Sequence, residues 1–132
     1  MSDQPPSDTV IPFPKRQPYE AFTRSPGPLP RLALRSGEQL RSVPYFAVHD
    51  VTFNVHTGNL FLSTTDLNAS VYGRDLHQIL ESLNLHECSL IQEYAAEAFI
   101  LPEPDGPPKA FVERIVFEEL RPIRIVAPQK YR

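Results

Sequence analysis

The sequence predicts an α+β domain: a small antiparallel, bent sheet or partly open barrel with one or two helices packed on it, preceded by an extended proline-rich N-terminal arm. Three observations predict this. From Arg31 onward, short segments alternate apolar and polar residues at period two, the signature of half-buried strands. Leu76, Ile79, Leu80 and Leu83 fall at i, i+3, i+4 and i+7, one stripe of a helix. Eight of the fifteen prolines lie in the first thirty residues. A chain of 132 residues fits one domain of ordinary size and leaves room for an arm. The expected boundaries are an arm over 1–30, a domain over 31–126 and a basic tail over 127–132.

Proline lacks an amide donor and disfavours helix in the residue before it, so "DQPPSDTVIPFPKRQPYEAFTRSPGPLP" is expected to be extended or polyproline-like. Ile11, Phe13, Tyr19, Phe22 and Leu29 make it more apolar than a free linker needs to be. Phe13, Tyr19, Phe22 and Leu29 are therefore candidate contact residues. Either they pack on the arm's own domain or they belong to a recognition segment for another chain, "PGPLPR" resembling a ligand for an aromatic groove.

In "RLALRSGEQLRSVPY", Leu32 and Leu34 mark a strand, Ser36-Gly37 a turn, and residues 40–46 a returning strand that Pro44 either confines to an edge or breaks. In "YFAVHDVTFNVH", Phe46 and Val48 share one parity while Val51, Phe53 and Val55 share the other. One extra residue at His49-Asp50 repairs the register, which predicts a β-bulge. Gly58 of "HTGN" supplies the positive φ of a hairpin turn, and Leu60 and Leu62 return on the core face opposite Val51, Phe53 and Val55. "ASVYG" is a further short strand.

His49, Asp50, Asn54 and His56 gather polar chemistry on this hairpin and are candidate binding residues, together with Arg74 and His77. A shared metal is excluded for the two histidines of one straight strand. At about 3.3 Å per residue they stand roughly 20 Å apart, whereas ligands lie about 2 Å from their ion.

The helix at "GRDLHQILESLNLH" has Asp75 as its expected N-cap, Gln78 completing a capping box and Asn84 as its stop. His77 and Glu81 lie one turn apart on its wet face. That spacing suits an oriented general base or an ordinary i,i+4 pair, and no nucleophile is placed beside them. In "CSLIQEYAAEAFIL", Leu90, Ile91, Tyr94, Ala98 and Leu101 are at helical spacing, so a second helix over 89–101 is expected, with "SLIQEY" as a strand being the alternative. Cys88, two residues after His86, reads as a buried thiol rather than a nucleophile. "PEPDGPP" breaks the chain, "KAFVERIVFEEL" has the β-branched and aromatic content of a strand, and "PIRIV" is one more short strand.

A single cysteine excludes an internal disulfide framework, no apolar run reaches the length of a membrane span, and the start carries no secretory signature; a cytoplasmic location is the expectation. Residues 1–45 hold six basic and four acidic groups, residues 46–120 three and twelve, and residues 121–132 four and none. An acidic body argues against wrapping a nucleic acid on it. Phosphate loops, dinucleotide fingerprints, nucleophile elbows and zinc-protease signatures are all missing, and nothing calls for a cofactor. The sequence therefore points to a non-enzymatic interaction or adaptor module, whose partner is another protein or a second copy. The competing reading is a small-ligand protein or enzyme with a pocket between sheet and helix.

Overall fold

A computed structural model describes residues 15–120. The expectations for Phe13, for the strand "PIRIV" and for the basic tail fall outside the described residues. Among the described residues, ten strands and one α-helix run in the order β1 (Gln17–Pro18), β2 (Phe22–Arg24), β3 (Arg31–Ser36), β4 (Gln39–Pro44), β5 (Val48–Phe53), β6 (Leu60–Thr64), β7 (Leu67–Arg74), α1 (His77–Asn84), β8 (Cys88–Gln92), β9 (Phe99–Ile100) and β10 (Phe111–Glu119), with a 3-10 turn at Tyr45–Ala47 where the strand expected over 40–46 ends early. The predicted class holds in outline, mostly strand with one helix. The single bent sheet is corrected to several sheets, none closed into a barrel.

One four-stranded sheet has the order β10-β7-β6-β5, the other β2-β8-β3-β4, and β1 pairs with β9 in a two-stranded ribbon. The first is antiparallel throughout, while the second contains the parallel pair β3–β8. Alternation supplies one apolar face to each sheet. Leu32, Leu34 and Ile91 of one sheet join Leu60, Leu62, Leu67, Ala69, Val71, Val112 and Ile115 of the other in a single buried cluster. Helix α1 packs against β5 and β8 and adds Leu76, Ile79 and Leu83 to that cluster, as its stripe predicts.

Several local readings are observed. β3 and β4 pair across a tight turn with Gly37 at φ 61°, and β4, closed by Pro44, is the last strand of its sheet. The register of β5 on β6 shifts between Val48 and Asp50, the predicted bulge, and Gly58 takes φ 79°. Others are corrected. Asp75 does not cap the helix: it sits at φ 54°, the N-cap position falls on Leu76, and no side chain bonds there. Gln78 serves a different purpose, donating to Pro108 O at 3.1 Å and accepting from Ala110 N–H at 2.8 Å. Val55 leaves the core face and stands 77% exposed at the hairpin tip. The expected second helix over 89–101 is replaced by strand β8, the alternative reading of "SLIQEY", and a turn leading to β9. β8 is hydrogen-bonded on both sides, to β2 and to β3, and two ladders outweigh helix preferences of under about 1 kcal/mol per residue.

The segment read as an arm contributes strands. β1 runs beside β9, β2 beside β8, and Tyr19 and Ala21 are buried between them. The Tyr19 ring meets Tyr94, Phe99 and Phe111 edge-on at centroid separations of 5.2–5.3 Å. Its hydroxyl donates to Gln92 O at 2.7 Å and accepts from Val112 N–H at 3.0 Å.

The two large sheets meet at a seam of side-chain hydrogen bonds. β10 is an edge strand, and its Ile115 N–H donates to Glu93 Oε2 at 2.7 Å while Ile115 O lies 2.9 Å from the Ser36 hydroxyl. The same carboxylate accepts from Gly37 N–H at 3.0 Å and lies 2.9 Å from Ser36 Oγ, whose one proton serves either this carboxylate or Ile115 O. A neutral amide at this position cannot accept these donors with equal strength. Glu93→Gln is expected to lower unfolding stability by about 2 kcal/mol, read as a fall in the urea midpoint at unchanged slope. Its cost should be non-additive with that of Ser36→Ala, since the two share partners.

Candidate functional site

The polar residues singled out on chemical grounds are dispersed. His49 and Asp50 sit at the bulge of β5, both exposed: His49 Nε2 lies 2.9 Å from Thr65 Oγ1, and Asp50 accepts from Thr52 Oγ1 at 2.6 Å. Asn54 is a turn-former, its Oδ1 accepting from the backbone N–H of His56 and Thr57 at 2.9 and 3.0 Å. His56 is exposed at that same turn. Arg74 lies over the Phe111 ring at 4.6 Å, and His77 meets the edge of Phe53 at 6.5 Å. Glu81 does not pair with His77 but is approached by Arg24 at 3.9 Å. Of the six, only His49 and Asp50 line a common cleft, an open depression of about 240 Å³ shared with Tyr45, Asn84 and His86. His86 is held there by stacking on Tyr45, at a centroid distance of 4.5 Å. Among the described residues, no group of three or more histidine, cysteine or acidic side chains is arranged to hold a metal ion.

Of the candidate contact residues, Tyr19 is buried, while Phe22 and Leu29 are half-buried against the chain's own core. Residues in the region read as a second helix prove more informative. Ile100 and Leu101 stand 47% and 59% exposed, directly before "PEPDGPP". Three clefts of about 340, 370 and 440 Å³ adjoin this segment, and every one is lined by Pro102 and Lys109. Their linings together trace one stretch of surface. It runs from Arg74 and Phe111, along the proline loop, past Pro18 and Tyr19 to the outer edge of β2 at Phe22 and Arg24. Phe111, Pro102, Pro107 and Leu101 give it an apolar lining, and Glu20, Glu103 and Lys109 mark its rim. The sequence showed the proline break; reading the preceding residues as a helix hid the exposed apolar pair.

The groups whose ionisation departs from ordinary values do not describe a catalytic centre. Burial pushes the Tyr19 and Tyr45 hydroxyls up, and both are turned into hydrogen bonds with backbone carbonyls. Arg41 is raised by its bond to Glu119, a surface pair at 2.6 Å. Burial likewise raises the Cys88 thiol to about 11. Because the thiolate is the nucleophile, Cys88 is expected to ignore a disulfide reagent at pH 8 in the native chain and to react at once on unfolding. Linkage gives the sign of the pH effect. The folded chain keeps this proton where the unfolded one releases it, so the contribution is intact below pH 9 and falls away between about pH 9 and 11, by roughly 1.4 kcal/mol per unit at most. Urea midpoints across that range, compared with Cys88→Ala, isolate it.

No family model matches the sequence, and neither the curated proteins nor the solved structures contain a match to it. No helix among the described residues is long and apolar enough to cross a membrane.

Proposed function

We propose that this chain is a protein-interaction module without catalytic chemistry of its own, and that its partner docks on the surface around residues 100–110. One observation carries the reading: an apolar, proline-walled surface, on which Ile100 and Leu101 stand exposed, borders three neighbouring clefts that share Pro102 and Lys109. Contiguous exposed apolar surface rimmed by charge is characteristic of docking sites, and prolines hold such a surface in shape at little entropic cost. Of His49, Asp50, Asn54, His56, Arg74 and His77, only the adjacent His49 and Asp50 share a cleft, an open one, which leaves the competing enzyme reading few groups to work with.

The test places a photoreactive phenylalanine analogue at Leu101 in the full chain, with Val55 at the distant hairpin tip as control, and irradiates the cells that make the protein. A discrete adduct at 101, absent at 55 and lost on Ile100→Asp, is the expected result. An adduct of twice the chain mass identifies the partner as a second copy. No adduct, or the same diffuse products at both positions, overturns the reading.

A further inference from the structure

Strand β2 uses only half of its backbone. Ala21, Thr23 and Ser25 address β8: Gln92 N–H donates to Ala21 O at 2.9 Å, Thr23 stands opposite Leu90, and Ser25 N–H donates to Glu87 O at 2.7 Å. Alternation along an antiparallel strand then turns the N–H and C=O groups of Phe22 and Arg24 the other way. Among the described residues no strand lies there, β2 being the last strand of its sheet. Instead Phe22 and Arg24 line the cleft of about 340 Å³, whose other walls include Gln78 of α1, Pro102, Lys109 and Ala110. The gap is fixed in advance, since Gln78 clamps the helix to Pro108 and Ala110 by its two side-chain bonds.

We infer that this cleft takes an extended peptide segment of a partner protein as a strand added to β2. The inference rests on the interaction reading and gives it a mode of recognition, in which main-chain hydrogen bonds supply affinity and alternate side chains supply selectivity. The walls decide the occupant. Gln78 of α1 and residues 109–110 wall the cleft beside β2, which favours a lone strand over the edge of another folded copy. Charge narrows it further. Glu20 and Lys109 are exposed at the rim with no side-chain partner among the described residues, whereas Arg24 is engaged by Glu87 at 2.8 Å. The fitting segment is apolar, with one basic and one acidic residue to meet Glu20 and Lys109.

The experiment selects binders to the full chain from a display library of randomised eight-residue peptides and follows backbone amide exchange by NMR. In the free protein, Thr23 is expected to be protected and Phe22 and Arg24 to exchange fast; adding a selected peptide should slow both. N-methylation of alternate peptide residues should weaken binding about ten-fold or more in one parity and little in the other. Lys109→Glu should cost affinity that is regained when the peptide's acidic residue is exchanged for lysine. Binders that protect only the region of Ile100 and Leu101 would overturn the strand mechanism while leaving the interaction reading in place. An empty selection, or Phe22 and Arg24 already protected in the free chain, would overturn it as well. Loss of the Leu101 photo-adduct is a separate failure and strikes the interaction reading itself.

Discussion

Gly73→Ala is expected to cost about 3 kcal/mol or more of folding stability, through a single added methyl group. Gly73 lies in β7 opposite Val112, beside the point where the register of β10 shifts between Val112 and Arg114. A Cβ on Gly73 would be driven into the Phe111 carbonyl oxygen, and would stand 2.9 Å from the Phe111 carbonyl carbon and 3.1 Å from Val112 Cα. All three are main-chain atoms, so no side chain can swing aside. Relief requires β7 and β10 to part where the strands are bulged, and Val112, fully buried, moves with them. Overpacking of this kind commonly costs about 1–3 kcal/mol when side chains can adjust, and more when only backbone can. Gly27→Ala is the matched control: a Cβ there meets nothing within 4 Å, and its urea midpoint should stay within about 0.5 kcal/mol of the parent.

Tyr19→Ala should be comparably damaging, at about 4 kcal/mol, because it removes a ring that three other aromatic rings meet edge-on. Tyr19→Phe separates the two contributions. The ring stays, while Val112 N–H loses its acceptor and Gln92 O its donor, and leaving a buried amide unpaired costs about 1–3 kcal/mol. Thermal and urea unfolding of the two variants check this. Equal losses would mean that the hydroxyl, and not the ring, anchors the N-terminal strands.

Where the fold could be read from sequence, the governing physics was local. The stripe Leu76, Ile79, Leu80 and Leu83 defines α1 because a helix must bury one face, and the parity change at His49-Asp50 marks the bulge because side-chain direction has period two. Reading failed where distant segments decide. Residues 88–92 carry a helix-like spacing, yet Leu90 stands between Thr23 and Ala33, and those neighbours come from elsewhere in the chain. Asp75 and Gln78 look like a capping box, but Gln78 finds stronger employment on the loop at Pro108 and Ala110, thirty residues on. The candidate surface escaped for the same reason. Its walls come from residues 18–24, 74–78 and 100–111, and on the β5–β6 hairpin the side chains of His49, Asp50 and Asn54, chosen by type, are engaged in turn and bulge contacts of their own.

The pairing of β1 with β9 and of β2 with β8 also sets an order of events in time. Gln17 must find Phe99, and Phe22 must find Ile91, across most of the described chain, whereas β3–β4, β5–β6 and β6–β7 are neighbours joined by short connections. Closing a long loop carries an entropy cost that local hairpins avoid, so those hairpins form first. On the ribosome the N-terminal strands emerge before either partner exists, and must wait for β8 and β9 to follow. Contacts made after the rate-limiting step alter the rate of unfolding and leave that of folding nearly unchanged. The N-terminal strands are thus expected to lock last, so Tyr19→Phe should speed unfolding far more than it slows refolding.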